Sequence, residues 1–262
     1  MKTRICAAAL AVASALLPLP TQAQSSAIGF SGAELTLGHA SGETGTLTTL
    51  DASADFAITA QHGLQLDLGI IDYGNIWFGT LAAHAYLQPT QAAKYGLFFA
   101  YSDADDREAA TTEIGVEGIW SLGSSTTVEA RAGMGRADPS EVDYLFASLG
   151  ARHALTRQLA LSGRLGIVDA DEARAALTGT TLDLGLSYHL PDAPVALSLG
   201  ASHTRISGTH TASETRVTIG LTAAIGGART ARATAAQRNF APVRPLQPLL
   251  ERGLVWDFVG SR

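Results

Sequence analysis

Charged residues recur on one side of segments that otherwise alternate with apolar residues: Glu34, Asp51, Asp55, Asp67, Glu113, Glu117, Glu129 and Asp183, against Arg131, Arg164 and Arg216. Facing a shared interior, such a set would do electrostatic chemistry. Carboxylates in excess raise the local cation concentration and repel anions, because low-dielectric walls focus the field. The same residues would serve equally well as Arg–carboxylate cross-links in an interior filled by side chains. Nucleophilic chemistry is poorly served. His84, His153, His189 and His203 lie on or beside alternating segments, and Ser187 and His189 share a face. A histidine two positions from a serine is more often a satisfied interior residue than a general base. No Gly-x-Ser-x-Gly elbow, His-Glu-x-x-His helix or phosphate-cradling glycine loop occurs, so no catalytic residue and no cofactor is assigned. Asp103, Asp105, Asp106 and Glu108, and Asp169, Asp171 and Glu172, offer oxygens for calcium but lack EF-hand spacing. They read as solvated loops, and no metal site is assigned.

The elements that must carry these residues are strands. Leu64, Leu66, Leu68 and Ile70 alternate with Gln65 and Asp67, Leu182 to Tyr188 with Asp183 and Ser187, and Val217 to Ile225 with Arg216 and Thr218. A period of two marks a strand with one apolar and one polar face. The pattern gives twelve strands, near 30–39, 46–60, 63–73, 75–88, 94–102, 111–120, 125–136, 142–153, 158–168, 177–190, 194–204 and 214–226. Most run to about nine residues or more, which suits a tilted bilayer crossing rather than a soluble sheet, whose strands centre on about five or six.

The intervening links form two alternating series. Those at 61–63, 89–93, 121–124, 155–157 and 191–193 are short; those at 40–45, 103–110, 137–141, 169–176 and 205–213 are longer, and a link at Gly74 is very tight. Short turns on one side and longer loops on the other are the habit of outer-membrane barrels. Tyr73, Trp77, Tyr86, Tyr95, Tyr101, Trp120, Tyr144 and Tyr188 all fall near strand ends. Their apolar rings and polar tips suit the headgroup level, so they are expected to form girdles at the two membrane interfaces.

Residues 1–23 have the layout of an export signal: Lys2 and Arg4, an apolar run from 5 to 17, then Thr21-Gln22-Ala23 as a cleavage site. The one cysteine, Cys6, lies inside this segment, which leaves no disulfide framework after export. With 18 Lys and Arg against 24 Asp and Glu there is no polybasic surface, and nucleic acid is excluded as a partner. No run after the leader is long and apolar enough for a membrane helix.

Over residues 28–226 this pattern resembles the bacterial outer-membrane β-barrels, in particular the small, porin-like, twelve-stranded ones. The resemblance implies an all-β, antiparallel transmembrane barrel in the outer membrane of a Gram-negative cell. It also implies contact with membrane lipid and lipopolysaccharide, insertion by the barrel-assembly machinery, and association into homo-oligomers. Passive diffusion of small hydrophilic solutes, cations among them, through an acidic lumen is the activity expected. A closed structural or adhesion barrel is the alternative, a lipid-modifying barrel enzyme a third, and a soluble periplasmic β protein the alternative fold.

One departure from that family is the segment after the last strand, 227–262. It holds Arg229, Arg232, Arg238, Arg244, Arg252 and Arg262 against Glu251 and Asp257, about +4, whereas the exported barrel region is about −12. Pro242, Pro245 and Pro248 favour an extended path, and Leu249, Leu250, Leu254, Val255 and Phe258 offer one face of a short helix. Charge complementarity predicts a basic periplasmic tail, either docked at the periplasmic mouth or free as a disordered extension.

Overall fold

The computed structural model describes residues 29–247, apart from 75, 105–108, 139–141, 173–174, 209–210 and 227–229. The export signal, the calcium candidates Asp105, Asp106 and Glu108, and the apolar helix face from Leu249 to Phe258 lie outside the described residues, as do the side chains of Asp171 and Glu172.

Twelve strands follow one another in chain order: β1 (Gly29–Gly42), β2 (Gly45–Ala57), β3 (His62–Asp72), β4 (Trp77–Thr90), β5 (Ala93–Ala104), β6 (Ala109–Leu122), β7 (Thr126–Asp138), β8 (Val142–Ala154), β9 (Leu159–Glu172), β10 (Ala175–His189), β11 (Val195–Gly208) and β12 (Ala212–Gly226). Each pairs antiparallel with its neighbour, and β1 closes on β12 from Gly32↔Gly226 to Gly42↔Arg216. Closure removes both sheet edges, so the strands' backbone donors and acceptors can be met by neighbours in a medium without water.

The alternation sorts the side chains by face. Leu97, Ile114, Leu145, Leu165, Leu184 and Ile219 all face outward and are exposed, while Gln65, Asp67, His84, Lys94, Glu117 and Arg131 are buried inside. An exterior of this kind, carried all round a closed sheet, has hydrocarbon as its natural solvent.

At the far end most strands run beyond the limits the sequence pattern gave them, and the loops there are correspondingly shorter, while β2 stops at Ala57, three residues short of its expected end. β1 and β2 continue through most of 40–45 to a turn at Glu43 and Thr44, and β11 and β12 take up most of 205–213. The cause is the inner face. Ala40, Leu47, Leu177 and Ile206 are buried there in an apolar cluster, and their outward neighbours beyond the bilayer can be polar at no cost. The tight link after β3 is present: Gly74 sits at φ +88°, and Asp72 accepts its N–H.

The five described hairpin links at 58–61, 91–92, 123–125, 155–158 and 190–194 share one end of the barrel with the start of β1 and the finish of β12. This is called the entry end below, and the other the far end.

Candidate functional site: a lumen occupied by the tail

The tail does not stop at the mouth. Residues 230–247 enter the barrel at the entry end and climb the inner wall formed by β2 to β7, which corrects the expectation of a periplasmic tail for this stretch. Ala231 N–H donates to Arg157 O in the β8–β9 turn, and Ala236 N–H to Gln91 O in the β4–β5 turn. Ala235 N–H, in a 3₁₀ turn (Ala235–Gln237), donates to Ser121 Oγ at 2.8 Å. Lys94 then donates to Arg238 O at 3.2 Å.

Deeper in, the Gln65 side chain pairs with the Phe240 backbone as a neighbouring strand would. Phe240 N–H donates to Oε1 at 2.8 Å, and Nε2 donates to Phe240 O at 3.0 Å. Arg131 donates to Ala241 O at 2.6 Å and to Pro242 O at 3.0 Å. Higher still, Arg244 makes a two-pronged pair with Asp51. Beyond it, Val243 and Leu246 pack in an apolar cluster with Ile71, Phe78, Phe98, Phe146 and Ile206. Every backbone group named here has a barrel partner, which is what a chain without its own ladder needs in a buried setting.

The wall holding the tail is a connected charge network. Glu117 receives Arg131 through Nε at 2.9 Å and through Nη2, and on its other oxygen meets His84 Nδ1. His84 Nε2 lies 3.0 Å from Asp67, which also accepts from Gln65 at 2.9 Å. Lys94, fully buried, pairs with Asp55 at 3.3 Å and sits 3.9 Å from the centre of the Tyr86 ring. Burying these charges costs several kcal/mol per ion unless each is paired and hydrogen-bonded, as here.

Of the charges singled out from sequence, Asp55, Asp67, Glu117 and Arg131 are therefore structural partners in this wall, and Asp51 is the partner of the tail. Glu113 accepts hydrogen bonds from Tyr144 at 2.6 Å and Thr111 at 2.8 Å. Arg216 pairs with Glu214 at 2.9 Å near the far end and donates to Thr44. Glu129 pairs with Arg164 at 3.0 Å. Glu34 and Asp183 line open space, described below.

Two of the aromatics expected at the membrane interface point the other way. Tyr86 and Tyr144 are buried inside, their hydroxyls donating to Asp55 and Glu113. Their positions near strand ends match a girdle, but each shares the parity of interior residues, His84 for one and Phe146 for the other. Tyr73 is also not at a lipid-facing rim; it lies in the β3–β4 link, partly buried against the interior cluster. Trp77 and Tyr101 face outward toward the far end, and Tyr95, Trp120 and Tyr188 toward the entry end.

Gln65, Lys94, Arg152 and Phe240 were not singled out as site residues by sequence reasoning, and His84 was considered only as a base. One signal was there: Lys94 is the only lysine after the leader and falls on the polar side of its strand. Ser187 and His189 both face inward, but Arg152 stands between them, donating to Ser187 Oγ and lying 3.0 Å from His189 Nε2. A histidine nitrogen that accepts from a guanidinium is not free to take a serine proton.

Because the tail hugs one wall, space remains along β8 to β12 and β1. A cavity of about 420 Å³ is lined by Glu34, Glu129, Arg152, Arg164, Asp183 and Arg238 among others. It shares Arg164, Asp183 and Pro242 with one of about 280 Å³ toward the far end, and Glu34, Arg152 and Arg238 with one of about 150 Å³ at the entry end.

No family model matches this chain, and no curated protein matches it in sequence. Solved structures do resemble it. The KdgM porin in complex with disordered oligogalacturonate superposes with a TM-score of 0.52 at 11% identity, covering 72% of this chain and 98% of the porin. The COG4313 outer membrane channel from Pseudomonas putida F1 gives 0.57 at 11% identity over 79% and 99%, and the NanC porin 0.57 at 7% over 72% and 98%. At such identities the likeness is one of fold. With the apolar exterior, this chain has the fold of those small channels: a closed, twelve-stranded antiparallel β-barrel whose outward face suits a bilayer. Those proteins are matched almost end to end while part of this chain is left over.

Proposed function

We propose that the protein is a narrow outer-membrane channel, passing small hydrophilic solutes through the space between its own tail and the β8–β12 wall. The observation that carries this reading is the succession of three adjoining cavities, each sharing lining residues with the next, whose linings together run from Pro194 and His189 near the entry end to Val243 and Gln247. Ser53, Ser162, Ser198, Ser202, Thr204 and Thr222 offer hydroxyls along the way, a lining that can replace part of a solute's hydration. The oligogalacturonate held by KdgM makes a sugar-like solute a reasonable probe.

The cation preference expected of an acidic lumen belongs, in this reading, to the barrel without its tail. Along the remaining path Glu34, Asp51, Glu129 and Asp183 are offset by Arg131, Arg152, Arg164, Arg238 and Arg244, and two of those arginines come from the tail. Residues 1–23 act as the export signal, and the outward apolar band meets lipid and lipopolysaccharide. Assembly into homo-oligomers rests on the family resemblance alone.

A closed, structural barrel is the second reading, favoured by the apolar cluster that Val243 and Leu246 complete near the far end. Planar-bilayer recording of the full chain separates the two. Small, uniform steps that a short neutral sugar reduces support the channel; a silent bilayer, with the protein shown to be inserted, supports the closed barrel.

A further inference from the structure

We infer that the tail is threaded through the barrel, so that the chain beyond Gln247 is delivered to the face opposite the one where β1 begins and β12 ends. In an outer membrane that face is the cell surface, since a barrel with an even strand count keeps the start of its first strand and the finish of its last on the periplasmic side.

The order of the tail's contacts sets its direction. Ala231 and Ala236 bond to turns of the entry end, Arg238 O to Lys94, the second residue of β5, and Phe240 to Gln65, the fourth of β3. Arg131, the sixth residue of β7, holds Ala241 and Pro242, and Asp51, seven positions from the entry end of β2, holds Arg244. Gln247 lines a cavity with Val168, Gly179 and Thr204, each only four residues from the far limit of its strand. Height rises with residue number from Ala231 to Arg244, and a turn follows at 245–247, where Gln247 N–H donates to Arg244 O at 3.3 Å.

Length agrees with this direction. Four strand residues correspond to about 13 Å, less when tilted, whereas residues 248–262 span about 22 Å even if wholly helical.

The inference is independent of whether the remaining path conducts. Its test uses full-length protein in cells, in a Cys6→Ser background so that each variant has one thiol. Ser261→Cys is compared with Glu43→Cys in the β1–β2 turn of the far end and Asp192→Cys in the β10–β11 turn of the entry end. The probe is a polyethylene-glycol maleimide too large to cross the outer membrane, applied to intact and to permeabilised cells. Ser261→Cys is expected to be labelled in intact cells to the same extent as Glu43→Cys, while Asp192→Cys reacts only after permeabilisation. Labelling of Ser261→Cys only alongside Asp192→Cys overturns the inference, and so does absence of labelling in both preparations, which leaves residue 261 inside the barrel.

Discussion

Phe240 of the tail lies flat against His84 of β4, ring centroids 5.6 Å apart and planes within 11° of parallel. The imidazole is held edge-on by Asp67 and Glu117, so its face is the one surface left for the tail to cover. A residue 156 positions away along the chain thereby completes a network that spans β3, β4, β6 and β7. The tail is integral to the interior, and weakening its grip should register in the stability of the whole barrel.

The Arg244–Asp51 pair tests that coupling. Both side chains are largely withdrawn from water, and Arg244 Nη2 lies against Gly69, where an added Cβ would come within 2.2 Å of it. Arg244→Gln and Asp51→Asn should each cost about 1–3 kcal/mol, read as a lower temperature for the heat-modifiable gel shift of the folded barrel. The double variant should cost clearly less than the sum, because each single change leaves a charge buried without its partner. Gly69→Ala should crowd the same pair and lower the temperature by less than either single variant, because the guanidinium it meets is the end of a flexible side chain. Strict additivity in the cycle would mean that the two groups do not meet.

Removal of the tail should change selectivity as well as conductance. Truncation after residue 228 takes away Arg238 and Arg244 but leaves Glu34, Asp51, Glu129 and Asp183 on the wall. Unit conductance is expected to rise, and the reversal potential in a salt gradient to move toward that of the cation. Since truncation also strips partners from Gln65 and Lys94, the full-length double variant Arg238→Gln/Arg244→Gln serves as a companion: its selectivity should move in the same direction with a smaller change in conductance. An unchanged reversal potential in both would separate the tail from the permeation path.

Tyr144 and Tyr101 give opposite expectations for the same substitution. Tyr144→Phe removes a donor to the buried Glu113 carboxylate and should cost about 1.5–3 kcal/mol, the range for hydrogen bonds to charged groups. Tyr101→Phe, on the outward face, should stay within about 0.5 kcal/mol. Thermal unfolding in detergent reads both.

The same contrast explains what the sequence could and could not convey. Twelve strands were legible because lipid on one side and a polar interior on the other impose a period of two on every crossing, and all twelve fall within a few residues of the expected ranges. Tyr86 and Tyr144 were misplaced because nearness to a strand end fixes height and not face. Parity with His84 and with Phe146 would have corrected both. The path of the tail has no such signature. Its backbone is satisfied by Gln65, Lys94 and Arg131, residues that are far away in sequence and follow no period shared with it. Only the charge contrast between tail and barrel pointed to an association.

Gly166 on β9 offers a way to narrow the remaining path without touching the tail. It lines the cavity of about 280 Å³, and a Cβ built on it would meet nothing within 4 Å. An aromatic side chain there has space to enter and replaces glycine with a better strand former, so Gly166→Phe should fold with stability equal to or above that of the parent. If solutes pass between the tail and the β8–β12 wall, the substitution should remove most of the unit conductance while the heat-modifiable shift is unaltered. Outward-facing Gly163, on the same strand, supplies the control: Gly163→Ala should leave conductance unchanged, because its Cβ points away from the lumen toward Leu184. Full conductance in Gly166→Phe would place the path elsewhere and sink the proposed route.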